Sequence, residues 1–399
     1  MNSRAKILVV VSSTFLVLLL VLGSVVGKSA STDSPYHHLA VYTEVLSRIK
    51  SEYVEEPDLK SVTLGALNGL LESIDPFASY LNADQYKEYQ KNFDTYKGDV
   101  GLVLSKRFGY IGVVSAIPGS PAAKAGLTTG DILETIKGVA TRDMPLAYAE
   151  LLLRGLPGTT VDLMVLRRRP EPQKMTLTRA VPAPQPVQTK MLANDVGYVR
   201  AESLAGGKVK DVSAAITELE KKGAKRFVLD LRQCATGSPE EGVALADLFL
   251  EKGLITYLQG QRVARKDFQA DASKPKFKEP LVVLANRGTA GGAEVAAAAL
   301  QDDKRADLVG ERTYGDASQR KAISMDDGGA VILSVAKYYS PAGKAIQDTG
   351  ATPANLVVEA DAAVESDDDS DAAKADANEP EHKAGEDMML KKALELLAK

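Results

Sequence analysis

Asn286-Arg287-Gly288-Thr289-Ala290-Gly291-Gly292-Ala293-Glu294 follows the apolar run Pro280 to Ala285 and precedes the alanine-rich stretch Glu294 to Leu300. A short apolar run, a glycine-rich turn and a block of good helix formers read as strand, turn and helix. Many hydrolases hold a nucleophile on such a turn. The alternation continues upstream. Val196 to Val199 reads as a strand, Lys208 to Lys222 as an amphipathic helix, Arg226 to Leu231 as a buried strand and Gly242 to Leu250 as a second helix. Strands alternating with helices predict an α/β core with a mostly parallel sheet, here over residues 187–358.

The 399 residues suffice for two or three domains, and 45% of them are hydrophobic, enough for a sizeable core. The net charge of −4 is unevenly spread: residues 361–387 carry eleven Asp or Glu against two Lys, leaving a slightly basic remainder. Residues 359–387 therefore read as a solvated acidic linker. The near-neutral body gives no reason to expect a nucleic-acid partner. A single cysteine, Cys234, excludes an internal disulfide. Of the three histidines, His37 and His38 sit just after the N-terminal apolar segment and His382 lies in the acidic tail, so the folded body has none. That excludes a Ser-His-Asp triad, a Cys-His pair and a histidine-ligated zinc, so neither a metal nor another cofactor is expected.

Residues 7–26 are almost wholly apolar and follow Arg4 and Lys6. Twenty helical residues span about 30 Å, the thickness of a bilayer core. Lys28 disturbs the obvious cleavage site near Ala30. Residues 1–28 thus fit an uncleaved transmembrane signal anchor better than a signal peptide, and either places the bulk of the chain outside the cytoplasm. Residues 36–95 read as a helical lead-in. Leu64, Leu67, Leu70, Leu71 and Ile74 have helical spacing, and Asp75-Pro76 breaks the helix. Across 97–182, short strand-like runs alternate with glycine turns. Ser120-Pro121-Ala122-Ala123-Lys124-Ala125-Gly126-Leu127, then Gly130-Asp131-Ile132-Leu133 and later Arg154-Gly155-Leu156-Pro157-Gly158, are similar to the signature of PDZ domains, small β-barrels. Pro121 suits the start of a short helix and Gly126 its left-handed end. Val100, Gly101, Leu102 and Val103 are the expected peptide-binding residues, next to a loop whose amides would accept a C-terminal carboxylate. An ordinary turn before a strand would read the same way. Pro182 to Pro186 reads as a stiff linker. Residues 388–399 form an amphipathic helix that either docks on the body or binds a partner.

Over residues 40–358 the chain resembles the C-terminal processing peptidases, or tail-specific proteases. Leu229-Asp230-Leu231-Arg232, Thr313-Tyr314-Gly315 and Tyr338-Tyr339-Ser340-Pro341-Ala342-Gly343-Lys344-Ala345-Ile346-Gln347 carry the resemblance, with Asn286, Gly288, Ala290 and Glu294 of the turn. It implies a serine protease with a Ser-Lys dyad. It also implies that this dyad is missing. The nucleophile position is Gly291, the lysine position is Asp316, and the glutamine that orients the lysine falls on Arg320. The oxyanion loop, Asp230 to Gly237, keeps only Gly237 of its Pro-Gly-Gly. Scaffold motifs persist while four functional positions have changed.

Displaced residues would have to carry any remaining chemistry, and each has a plainer reading. Thr289 reads as a turn or cap residue, and Cys234 has no histidine to activate it. Ser318 and Lys321 fall on opposite faces of a strand. Asp316 and Arg320 pair only if their strand bends, side chains so placed being more often solvated. The reading is therefore a membrane-anchored, catalytically degenerate relative of these proteases that binds protein or peptide C-termini. Its expected partners are the membrane, through the N-terminal helix, and an active protease or another envelope protein. The alternative is an active serine-type endopeptidase using displaced residues. Protease added to intact spheroplasts should digest residues 28–399. Protection until lysis would refute the orientation.

Overall fold

The computed structural model describes residues 35–92, 95–107, 109–167, 171–181, 185–358 and 387–399. Among these, no helix is long and apolar enough to cross a membrane. The anchor expected over residues 1–28 lies outside the described residues, as does the acidic linker up to residue 386. Two compact units divide at Ala66. The first holds α1 (Pro35–Glu52) and the start of α2 (Leu59–Glu72), with Arg48 and Glu52 paired at 2.6 Å one turn apart. The remainder of α2 opens the second unit, followed by β1 (Ser79–Leu81) and α3 (Ala83–Asn92).

The PDZ-like region comprises β2 (Leu102–Arg107), β3 (Tyr110–Ala116), α4 (Pro121–Lys124), β4 (Ile132–Ile136), β5 (Val139–Ala140), α5 (Leu146–Leu153), β6 (Thr160–Leu166) and β7 (Gln173–Thr178). Its signature behaves as the residue types dictate. The Ser120 side chain caps α4 by accepting the Ala123 N–H at 3.1 Å, Pro121 stands in the first turn, and Gly126 takes φ +76° just beyond the end. The strands order as β2-β3-β4-β6-β7. Asp99 and Ala180 exchange backbone hydrogen bonds of 2.9 and 3.0 Å, so the entry to β2 meets the exit of β7 and the sheet is partly closed.

The core continues with β8 (Gln188–Leu192), β9 (Val196–Arg200), α6 (Lys208–Lys221), β10 (Arg226–Asp230), α7 (Pro239–Asp247), β11 (Leu254–Gln259), β12 (Lys266–Gln269) and β13 (Leu281–Ala285). Then come α8 (Gly292–Asp302), β14 (Asp307–Gly310), β15 (Ser318–Ser324), β16 (Ala330–Tyr339), β17 (Asn355–Leu356) and α9 (Met388–Leu397). One sheet runs β17-β14-β13-β10-β9-β8 and is parallel except where β8 meets β9. A second sheet, β1-β16-β11-β12 with β15 on β16, is antiparallel throughout. The expectation of a mostly parallel core is thus corrected: it describes one sheet of two. The second was hidden because β15, Ser-Gln-Arg-Lys-Ala-Ile-Ser, is largely exposed and has no apolar period.

Side-chain alternation explains why β10 and β13 are apolar on both faces. Phe227, Leu229, Leu281, Val283 and Ala285 join the core under α6, α7 and α8. Val228, Val282 and Leu284 join a second cluster with Met389, Ala393 and Leu397 of α9. The amphipathic C-terminal helix therefore docks on the body. Asp387 caps it by accepting the Leu390 N–H at 2.9 Å and also receives two bonds from Arg232, at 3.0 and 2.8 Å. Met389 is 1% exposed, so Met389→Ala should cost about 2–5 kcal/mol. Urea denaturation measures this. An unchanged midpoint would mean that the helix is not held on the sheet in solution.

Candidate active site

At the end of β13 the chain turns through Asn286, whose side-chain oxygen accepts the N–H groups of Gln233 and Gly288, each at 3.1 Å. Thr289 is fully buried. Its hydroxyl donates to the Leu231 carbonyl at 2.9 Å and accepts the Asn286 N–H at 3.0 Å. That hydroxyl fastens the turn to the exit of β10, the structural role expected from sequence, and it does not cap α8. The cap position is Gly291, at φ +64° and ψ −127°. A Cβ placed there would lie 3.2 Å from the Gly237 carbonyl oxygen and 3.9 Å from that of Asp316. Three positions far apart in the sequence thus converge, at the sharp strand-to-helix turn anticipated for a nucleophile.

Glu294 holds that convergence together. Its carboxylate is fully buried in the first turn of α8. One oxygen accepts the Gly315 N–H at 2.6 Å and the Thr313 hydroxyl; the other accepts the Asp316 N–H at 2.8 Å and the Gly291 N–H at 3.1 Å. Burial pushes its pKa up to about 7 even though these donors favour the charged form. Beside it, Gln347 is 1% exposed and accepts the Ala317 N–H at 2.8 Å. The sequence contains both residues within matched motifs, but their roles escaped the reading. A glutamate three residues after a turn glycine, as in half of a capping box, was the available signal for Glu294.

The lysine position carries an ion pair. Arg320 donates to the Asp316 carboxylate, and the two side chains remain 31% and 26% exposed. The solvated arrangement expected as the commoner outcome is corrected by a register shift between Gln319 and Arg320, the bend that pairing required. Arg320 also lies over the Phe77 ring, 4.2 Å from its centroid, and Phe77 meets Tyr314 edge-on at 5.7 Å. Ser318 bonds the Ser334 hydroxyl at 2.8 Å and Lys321 is exposed, as opposite strand faces imply.

The loop expected to stabilise an oxyanion turns a carbonyl toward the Gly291 position. Such a site needs N–H donors aimed at the developing charge. Here the Gly237 carbonyl oxygen faces the Gly291 position and accepts the Gly292 N–H at 3.4 Å. Cys234 is fully buried, and burial holds its thiol at about 12, far from a reactive thiolate. Gln233 ties the loop to the PDZ-like domain, its side-chain oxygen accepting the Thr129 and Ser115 hydroxyls at 3.2 Å each.

The expected peptide-binding residues divide. Val100 is fully buried, and its carbonyl accepts the Ala122 N–H at 2.9 Å. Gly101, at φ +82°, donates its N–H to Asp99 at 2.5 Å. Leu102 and Val103 are half-buried on β2, paired in register with Ala116 and Ser115 of β3. Among the described residues, no group of His, Cys, Asp and Glu side chains could hold a metal ion.

With this geometry in hand, the comparisons with known proteins are direct. A model of peptidase family S41 matches residues 195–357, and a PDZ-domain model matches residues 112–167. The chain is 33% identical to the carboxy-terminal processing protease CtpA of Bacillus subtilis, over 83% of this chain and 71% of that protein. It is 32% identical to the carboxy-terminal-processing protease of Bartonella bacilliformis, over 89% and 82% respectively. The solved structure of a photosystem II D1 C-terminal processing protease matches with a TM-score of 0.65 at 28% identity, covering 79% of this chain and 86% of that one. The chain belongs to the C-terminal processing peptidase family.

A carboxyl of ordinary pKa 4.5 that titrates at about 7 when folded holds a proton between those values that the unfolded chain has released. Its contribution to stability is therefore greatest at the acid end and declines as pH rises from about 4.5 to about 7. Carboxyl-carbon NMR should place the Glu294 midpoint near 7. A midpoint near 4.5 would show that the four donors outweigh burial.

Proposed function

We propose that this protein binds protein or peptide C-termini through its PDZ domain and has lost peptide-bond cleavage. The observation that carries this reading is the pairing at the former dyad. Gly291 has no side chain to attack with, and Asp316 is bonded to an arginine that cannot accept a proton. A Ser-Lys mechanism needs a hydroxyl and an amine that can be neutral, and neither stands here. The displaced candidates do not favour the rival endopeptidase reading. Thr289 has its hydroxyl engaged on both sides, and Cys234 is inaccessible and held protonated.

The PDZ fold supports the binding half of the proposal. Its β2 stands at a sheet edge, where an extended peptide can add a strand. Anchoring by residues 1–28, with the bulk of the chain extracytoplasmic, belongs to the same proposal and rests on the apolar run of residues 7–26. Adaptor, scaffold or regulator of an active protease is the role such a molecule would fill.

Incubation of the full chain with unfolded proteins and with free C-terminal peptides tests both halves. Binding without cleavage is expected, and amidating the peptide's C-terminus should sharply weaken it. Equal affinity for acid and amide would sink the carboxylate mode. Cleavage that survives Gly291→Ala would restore the endopeptidase reading. Gly291→Ser alone should give no turnover and should destabilise the fold by about 1–3 kcal/mol, because its backbone lies where L residues are strained.

A further inference from the structure

β2 stands at a sheet edge, yet several of its residues are buried. Leu104, Ser105 and Lys106 are 4%, 6% and 4% exposed, although β2 has β3 as its only named strand neighbour. Part of the cover comes from the segment Glu72 to Ala78, and part from α5. The Glu72 carboxylate takes the Lys106 ammonium at 3.2 Å and the Gly109 N–H at 2.8 Å, pinning the segment to the far end of the β2–β3 hairpin. Asp75 turns the chain by accepting the Phe77 N–H at 2.9 Å. Phe77, 4% exposed, then joins the buried cluster of the PDZ domain, whose members include Val100 and Leu104 and, from α5, Leu146, Ala149, Leu152 and Leu153.

A ligand's last side chain would enter between that strand and that helix. Near the carboxylate loop, the Gly101 N–H is already bonded to Asp99. Behind Phe77 stands the replaced dyad, with Arg320 stacked on the ring and its guanidinium held by Asp316. Arg320, whose guanidinium Asp316 holds, thus contacts the Phe77 ring.

Building on the proposed binding of C-termini, we infer that Glu72–Ala78 is an internal strap occupying the PDZ groove. Phe77 stands in for a ligand's C-terminal side chain, and the Asp316–Arg320 pair latches it. The preferred ligand is an extended peptide with a free carboxylate and a large apolar last residue, which must displace Phe77 to bind. Apparent affinity is then reduced by the fraction of molecules in which the strap is open. The site of the old dyad acts as a threshold on binding.

The test uses the full chain and a fluorescein-labelled decapeptide ending in phenylalanine, with its amide and a version ending in aspartate as controls. If the open form is about one molecule in ten, Phe77→Ala should bind the phenylalanine acid about tenfold more tightly than the wild type. Arg320→Ala, which keeps Phe77 but removes the latch, should give a smaller gain in the same direction, and Phe77→Leu should stay near wild type. Wild-type binding with no gain in either Phe77→Ala or Arg320→Ala overturns the strap while leaving C-terminus recognition standing. No binding of the acid by any variant overturns recognition and the strap together. Should Phe77→Ala fail to fold, Arg320→Ala decides the matter, because its side chain is only partly buried and lies outside the PDZ core.

Discussion

A carboxylate removed from water must find donors, and the Glu294 carboxylate finds four, one at Gly291 and three between Thr313 and Asp316. Three of them are backbone N–H groups. The bonds that draw residues 291, 315 and 316 together do not depend on which side chains those residues carry. The frame is therefore bonded with a glycine at 291 and an aspartate at 316. The remaining donor, the Thr313 hydroxyl, also accepts the Ala351 N–H at 2.7 Å, so the frame reaches the following loop as well.

Placing Asp316 near Glu294 puts two carboxylates at one site, and like charges there need a cation. Arg320 supplies it through a bend that β15 makes at Gln319. Arginine remains charged at any physiological pH, so the charge of the site is balanced by a group that never gives up its proton.

The strand–turn–helix of residues 280–300 was legible because apolar runs and glycines report local geometry directly. The PDZ signature was legible for the same reason, Pro121 and Gly126 occupying the positions their backbone preferences suit. The expectation that Gly291 and Asp316 stand at the family's serine and lysine positions came from residue identity alone. What the sequence did not disclose depends on contacts between distant segments. β15 is recognisable as a strand only through its ladder with β16, and Phe77 belongs to the PDZ core although it precedes that domain in the chain. Nor could residue types alone separate Val100, which is buried, from Leu102 and Val103, which are half-buried.

The helix α9 has a consequence for biosynthesis. It follows every strand of the parallel sheet in the chain, yet one face of that sheet is covered by Met389, Ala393 and Leu397. During synthesis, Val228, Val282 and Leu284 are made long before their cover, and residues 359–386 must also be made in between. A nascent chain therefore carries an apolar, uncovered sheet for the whole time that the acidic segment is translated. At about 5–20 residues per second that interval lasts a few seconds, long enough for a chaperone to intervene. The acidic segment thus delays completion of the core.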